Sequence, residues 1–357
     1  MQIALLLKNC SKLSLKIGVV SLFLKLIAAP LTEKRTVYLL GERMRFLVLL
    51  SLLCSSLAWA ELDIEYFDKA KNGKQMLDFK LKHDSKKLTF SQVNNPTAQR
   101  EQSVSESQFV FNYGYGISQS VAMHSALGYS LGKIKERNSP SNTNDEDNEV
   151  SGLTDLALIV IGNHEMSADS LFHWQLKLTF GLGNYEKKEK KAGPPADYES
   201  NNFSGRTNLN AQLGYAYNIF YGNMGLVLAT DLIRNNADVK LKTLNASPFD
   251  IEAEGGNNTY ATLFFEMPSE TILWGTALGM HWQNETKLKM NDITFSRDVA
   301  KNYFRFNVYS RLDTGPGQDL VVNFGYDIYS KSGGDPATGK LEEGSAFNIS
   351  TAYSIEF

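Results

Sequence analysis

Titratable side chains recur at even spacings along several stretches of this 357-residue chain. Asp78, Lys80 and Lys82 form one series, His173 and Lys177 a second, and Arg305 and Arg311, with Asn307 and Tyr309 between them, a third. Asp155, His281 and Asp327 stand on similar alternating stretches. Successive side chains of an extended strand point to opposite faces, so groups an even number apart share one side. The chemistry open to such groups is electrostatic. They can form ion pairs that fill a narrow interior, or a charged constriction that selects a passing solute. Asp155, His173, Lys177, His281, Arg305, Arg311 and Asp327 are the candidates for that role.

Covalent and metal chemistry have less support. A Ser two residues from a His occurs at His83-Asp84-Ser85, among Lys82, Lys86 and Lys87, a setting that suits a polar loop. His124 and Ser125 are adjacent and so face opposite ways on a strand. The acidic run Asp145 to Glu149 lacks the Gly turn and spaced ligands of a calcium loop. Both cysteines, Cys10 and Cys54, lie in the first sixty residues, which leaves the rest without a disulfide framework or a thiolate metal site. No Gly-rich phosphate loop with its Lys occurs. The reading is a non-enzyme with no metal and no cofactor.

The elements that would position these groups are strands. From Gln75 to the end, segments of about nine to fourteen residues alternate between large apolar and small or polar side chains. Phe172, Trp174, Leu176, Leu178, Phe180 and Leu182 oppose His173, Gln175, Lys177, Thr179 and Gly181. Ile272, Trp274, Leu278, Met280 and Trp282 oppose Gly275, Ala277, Gly279, His281 and Gln283. Short connections follow every second segment: 118–120, 164–170, 219–223, 268–270 and 314–318. Long polar ones follow the others, among them 138–149, 186–191, 235–258 and 333–344. That parity belongs to an all-β, transmembrane, antiparallel up-and-down barrel with short turns on one side, long loops on the other and both termini on the short-turn side. About twelve strands are expected, with ten or fourteen as alternatives. The barrel spans 75–357, and 61–74 is a periplasmic lead-in that either trails as a tail or plugs the lumen.

At the carboxy end, Phe347, Ile349, Thr351, Tyr353, Ile355 and Phe357 alternate with Ala346, Asn348, Ser350, Ala352, Ser354 and Glu356. This stretch resembles the closing strand of bacterial outer-membrane β-barrels, in which a terminal Phe and alternating apolar residues are read by the insertion machinery. The resemblance implies that Phe347, Ile349, Tyr353, Ile355 and Phe357 are the membrane-insertion signal, with the barrel-assembly machinery, outer-membrane lipid and lipopolysaccharide as partners. A second resemblance lies at Gly152-Leu153-Thr154-Asp155-Leu156-Ala157-Leu158, which is similar to the Gly-x-Gly-Asp-Leu element of outer-membrane proteins grouped with the meta-pathway of phenol degradation. Thr154 stands where that family usually has Gly. The resemblance implies passage of aromatic or other apolar compounds. Outer-membrane phospholipases also have twelve strands, but no Asn follows Ser85 as their pattern requires.

Residues 44–60, MRFLVLLSLLCSSLAWA, have the layout of a cleaved signal peptide: Arg45, an apolar run and Ala58-Trp59-Ala60 before Glu61. Residues 1–43 are then an upstream mis-start or non-native leader, with translation expected from Met44. Residues 1–60 hold 8 Lys/Arg against 2 Asp/Glu, so the remainder carries a net −9 and has no basic stripe for nucleic acid. The expected function is an outer-membrane channel or transporter for passive passage of a small solute, apolar or aromatic compounds included. A structural or adhesion barrel whose loops bind a partner is the alternative, and a barrel-embedded lipid-modifying enzyme a more distant one.

Overall fold

The computed structural model describes residues 65–92, 97–139, 146–182, 185–187, 206–219, 221–234, 237–241, 249–269, 271–290, 293–333 and 339–357. The expected leader 1–43 and signal peptide 44–60 lie outside them. Eighteen strands are described. They are β1 (Gln75–Ser91), β2 (Gln99–Gly116), β3 (Val121–Ser139), β4 (Glu146–Leu153), β5 (Leu156–Ser167), β6 (Ser170–Phe180), β7 (Tyr185–Lys187), β8 (Asn208–Ile219) and β9 (Gly222–Arg234). Then follow β10 (Ala237–Leu241), β11 (Phe249–Gly255), β12 (Asn258–Pro268), β13 (Ile272–Gln283), β14 (Thr286–Met290), β15 (Ile293–Asp298), β16 (Lys301–Gly315), β17 (Gln318–Tyr329) and β18 (Lys340–Glu356).

Twelve of these close into a ring: β1, β2, β3, β5, β6, β8, β9, β12, β13, β16, β17 and β18, which returns to β1. Every neighbouring pair is antiparallel. At the seam Met76 lies opposite Glu356 and Ser91 opposite Lys340, and Gln75 and Phe357 exchange backbone hydrogen bonds of 2.9 Å. The fold is the expected up-and-down barrel of twelve strands.

Burial fixes which face is outside. On β13, Trp274 and Leu278 are 53% and 45% exposed, whereas Leu273 and Ala277 are 3% and 1% exposed. The same sense holds around the ring, with Phe79, Phe111, Met123, Leu226, Leu263, Phe306, Phe324 and Phe347 outward and exposed. So large an apolar surface is incompatible with water but suits hydrocarbon. On β13 the belt runs from Trp274 to Trp282, which is about 27 Å of strand and about 20 Å along the axis at a tilt of roughly 40°. Tyr115, Tyr217 and Trp274 lie near the short turns, where aromatic rings meet the membrane interface. The indole N–H of Trp174, on the same side, donates to His164 Nε2 at 3.0 Å.

Beyond the belt, outward positions turn polar, as in the exposed Lys133–Glu149 pair at 2.7 Å. There β2 and β3 run well past the expected segments 108–117 and 121–134. Both of their faces meet water in that region, so no amphipathic contrast marks the extension. The long connections contribute a second, five-stranded sheet, ordered β15-β14-β11-β10-β7. The expected single segment 152–163 is split at Thr154-Asp155. There Thr154 N donates to Gly128 O at 2.7 Å while Thr154 Oγ1 accepts from Gly128 N at 2.8 Å, so a hydroxyl stands in for a ladder carbonyl.

Leu278 sits midway between the two Trp of β13. Leu278→Arg is expected to cost about 2–4 kcal/mol in reversible urea unfolding from lipid vesicles. Thr89→Arg, outward on β1 but past the belt, should change stability by about 0.5 kcal/mol or less.

Candidate functional site

The barrel interior holds a segment of its own chain. A 3-10 turn, Glu65–Phe67, and the residues up to Lys74 lie within the short-turn end of the lumen. The sequence left tail or plug open, and packing decides for the plug. Tyr66 stacks on Phe264 with centroids 4.6 Å apart, and Phe67 stacks on His173 at 4.2 Å. Phe67 is 1% exposed and joins Leu171, Val227, Ala277 and Tyr309 in the main apolar cluster. Glu266, fully buried, accepts through Oε1 from Tyr66 N at 2.9 Å and from the Tyr309 hydroxyl at 2.8 Å. Lys69 Nζ donates to Gln119 O at 2.9 Å, and Lys71 N to Glu356 Oε1 at 2.9 Å.

Two glycines make room for this segment. A Cβ on Gly214 would come within 2.5 Å of the Phe67 ring, and one on Gly116 would overlap Lys71 O at 1.8 Å. A strand glycine admits the close approach of another chain segment. A polar relay locks the seat further. Asn163 Nδ2 donates to Phe67 O at 2.7 Å, its Oδ1 lies 2.7 Å from His173 Nδ1, and Gln212 Nε2 lies 3.1 Å from His173 Nε2. Gln212 Oε1 accepts from the Tyr260 hydroxyl at 2.8 Å. The network satisfies a neutral His173 that donates through Nδ1 and accepts through Nε2.

Above the seat, one wall carries a row of rings. Tyr260, His281, Tyr303 and Tyr329 are directly paired across β12, β13, β16 and β17. Their centroids are spaced 5.0, 4.6 and 4.8 Å apart. Arg305 grips Asp327 with two hydrogen bonds of 2.7 Å, and its guanidinium lies 5.4 Å from the Tyr303 ring centroid. Such fork-to-carboxylate contacts are among the stronger hydrogen bonds in proteins. Lys86 Nζ stands 4.9 Å from the Tyr329 centroid.

The structure brings some of the predicted site residues together and leaves others apart. Arg305, Asp327 and His281 share the ring-bearing wall, His173 belongs to the seat, and Lys177 stands on the inward face of β6 with His173. Arg311 lies on the inward face of β16, toward the short-turn end. Asp155 occupies the break between β4 and β5, where its Oδ1 accepts from Leu182 N at 3.4 Å. Glu266, Gln212 and the Tyr66-Phe67 pair matter more than their sequence context suggested. Their partners are up to 200 positions away, so only the alternation of Glu266 with large apolar neighbours could have flagged it. His83 and Ser85 face outward, with His83 Nδ1 2.9 Å from Ser107 Oγ, while Asp84 turns inward to Lys82 at 2.5 Å.

Asp327→Ala should cost about 2 kcal/mol in vesicle unfolding. That is less than the roughly 3–5 kcal/mol for breaking a fully buried pair, because the Arg305 side chain keeps 33% of its exposure. An Arg305→Ala/Asp327→Ala double variant should recover part of the loss.

No family model matches the chain, and no curated protein does. Among solved structures, an outer membrane channel from Pseudomonas putida F1 superposes with a TM-score of 0.55 at 14% identity, covering 83% of this chain and 100% of that one. The translocator domain of the autotransporter NalP from Neisseria meningitidis gives 0.48 at 12% identity over 89% and 97%. The toluene transporter TodX of P. putida gives 0.44 at 9% identity over 81% and 91%. The first of these, together with the closed twelve-strand ring and its apolar belt, establishes that this chain has the fold of the bacterial outer-membrane β-barrel channels.

Proposed function

We propose that the protein is an outer-membrane channel for the passive passage of a small solute, with the segment 65–74 controlling its periplasmic mouth. One observation carries the reading: on the inward faces of β1 and β6, Lys80 is exposed and Lys177 is not buried. Both side chains face the lumen and keep contact with solvent. A sealed structural barrel would gain more from filling that space with apolar side chains or complete ion pairs. Passage needs no nucleotide, since the solute follows its own gradient through a hydrated path.

Export through a signal peptide at 44–60, with cleavage before Glu61, belongs to the same proposal, as do lipopolysaccharide around the belt and recognition of Phe357 by the barrel-assembly machinery. Amino-terminal sequencing of the membrane-inserted protein is expected to start at Glu61. The five-stranded sheet built from the long connections favours a second reading, in which the outer side docks a surface partner while the barrel serves as its anchor.

Planar bilayers separate the two. The channel reading expects stepwise current, with a Tyr66→Ala/Phe67→Ala variant raising conductance or open time about threefold or more as aromatic burial worth a few kcal/mol is removed from the seat. A membrane that stays sealed with the wild type and this variant alike leaves only the anchor reading.

A further inference from the structure

The seat that holds the lead-in is matched to one chemical unit. Tyr66 and Phe67 present, in order, a backbone N–H, two rings and a carbonyl, and the wall has a partner for each. Glu266 Oε1 accepts from Tyr66 N at 2.9 Å, and Asn163 Nδ2 donates to Phe67 O at 2.7 Å. The Tyr66 ring lies flat on Phe264, the planes 1° apart and the centroids 4.6 Å. The Phe67 ring lies flat on His173, the planes 7° apart, and meets Phe264 edge-on at 5.2 Å. Filling the lumen would need only bulk. This seat reads the two backbone ends of an aromatic pair as well as its rings.

The hold is also local. Glu65–Phe67 is a 3-10 turn outside the strands, and the residues that follow fasten to the rim by their own contacts: Lys69 to Gln119, Lys71 to Glu356, and Gly73 N to Gly116 O. The turn can therefore leave its seat while the rim contacts and the closed ring stay made. Departure alone would take one bond each from Glu266 and Asn163, and a buried polar group that loses its partner costs about 1–3 kcal/mol. Exchange for a ligand that restores both bonds avoids that cost.

We infer that the seat is a binding site for free aromatic dipeptides, which displace residues 65–67 and set their α-ammonium on Glu266 and their carboxylate on Asn163. The inference deepens the channel reading, on which a solute's access to the lumen rests. In such a dipeptide the atom that corresponds to Tyr66 N is a charged ammonium, and the one that corresponds to Phe67 O belongs to a carboxylate. Both bonds gain charge at the ligand's end, and charge-assisted hydrogen bonds are roughly twice as strong as neutral ones. The lead-in has its tether instead, which holds it near the seat at an effective concentration on the order of millimolar. Occupancy is thus a competition between a tethered neutral segment and a free charged one.

The test is calorimetric titration of the full chain, folded in detergent micelles, with tyrosyl-phenylalanine and with the same dipeptide acetylated at one end and amidated at the other. Wild type is expected to bind the free dipeptide at least about tenfold more tightly than the capped one. Tyr66→Ala/Phe67→Ala removes the competing rings, so this variant should bind the free dipeptide at least about tenfold more tightly than wild type does. Glu266→Gln in that background should lose about tenfold for the free dipeptide and keep the capped one within about threefold. Should a variant fail to fold, as judged by its mobility on unheated gels, the preference of wild type for the free dipeptide over the capped one carries the test from the ligand side. No binding by any folded form, an affinity in the double-Ala variant no higher than in wild type, or equal affinity for free and capped dipeptide would overturn the site. Binding in micelles alongside a planar bilayer that stays sealed would sink the channel and leave the site standing. Conduction without dipeptide binding would do the reverse.

Discussion

The pairing of β1 with β18 is the constraint from which the rest follows. In hydrocarbon an unpaired N–H or C=O has no water to turn to, and each such group costs several kcal/mol. A sheet of this length can lie in a membrane only if its first and last strands meet. Here they meet from Met76 opposite Glu356 to Ser91 opposite Lys340, with one shift near Thr89. Closure in turn dictates the distribution of side chains. The outer surface must be apolar across the belt, and the inner surface is left to whatever can coexist with water, a neighbouring strand or the chain's own lead-in.

That inner surface is divided by height. At the short-turn end it is packed like a small soluble core, with Phe67, Phe264, Leu171 and Val227 in one cluster and Glu266 anchoring the inserted backbone. The inserted segment supplies what the barrel wall cannot. A ring of twelve strands with Gly116 and Gly214 on its inner face would otherwise leave voids there, and close-packed interiors do not tolerate them cheaply. Above this level ion pairs and amide contacts share the interior with a second apolar cluster of Leu88, Phe90, Val299, Tyr329, Leu341 and Ala346.

The electrostatics of the path are asymmetric. Its carboxylates accept hydrogen bonds from Asn112, Asn208, Asn210 and Asn258, or pair with Lys82 and Arg305. Lys80 and Lys177 make no ion pair or hydrogen bond among the described residues.

The two-residue period was legible from Gln75 to Phe357 because a strand between lipid and a wet lumen contrasts sharply on its two sides. Trp274, Leu278 and Trp282 against Gly275, Gly279 and His281 already announced an outer and an inner face, and the parity of short and long connections announced the closed ring. The extensions of β2 and β3 were hidden where both faces meet water, and the outer sheet was hidden in short polar segments. The seat of Tyr66 and Phe67, the relay through Asn163, His173 and Gln212, and the four-ring row could not be read in sequence at all. Each joins residues that only strand register brings side by side, some of them two hundred positions apart. The sequence by itself determined which side of each ring strand faces oil across the belt, since that is a property of neighbouring residues. Which inward groups pair with one another only the tertiary structure decided, because ion pairing depends on distance across a closed ring and not on distance along the chain.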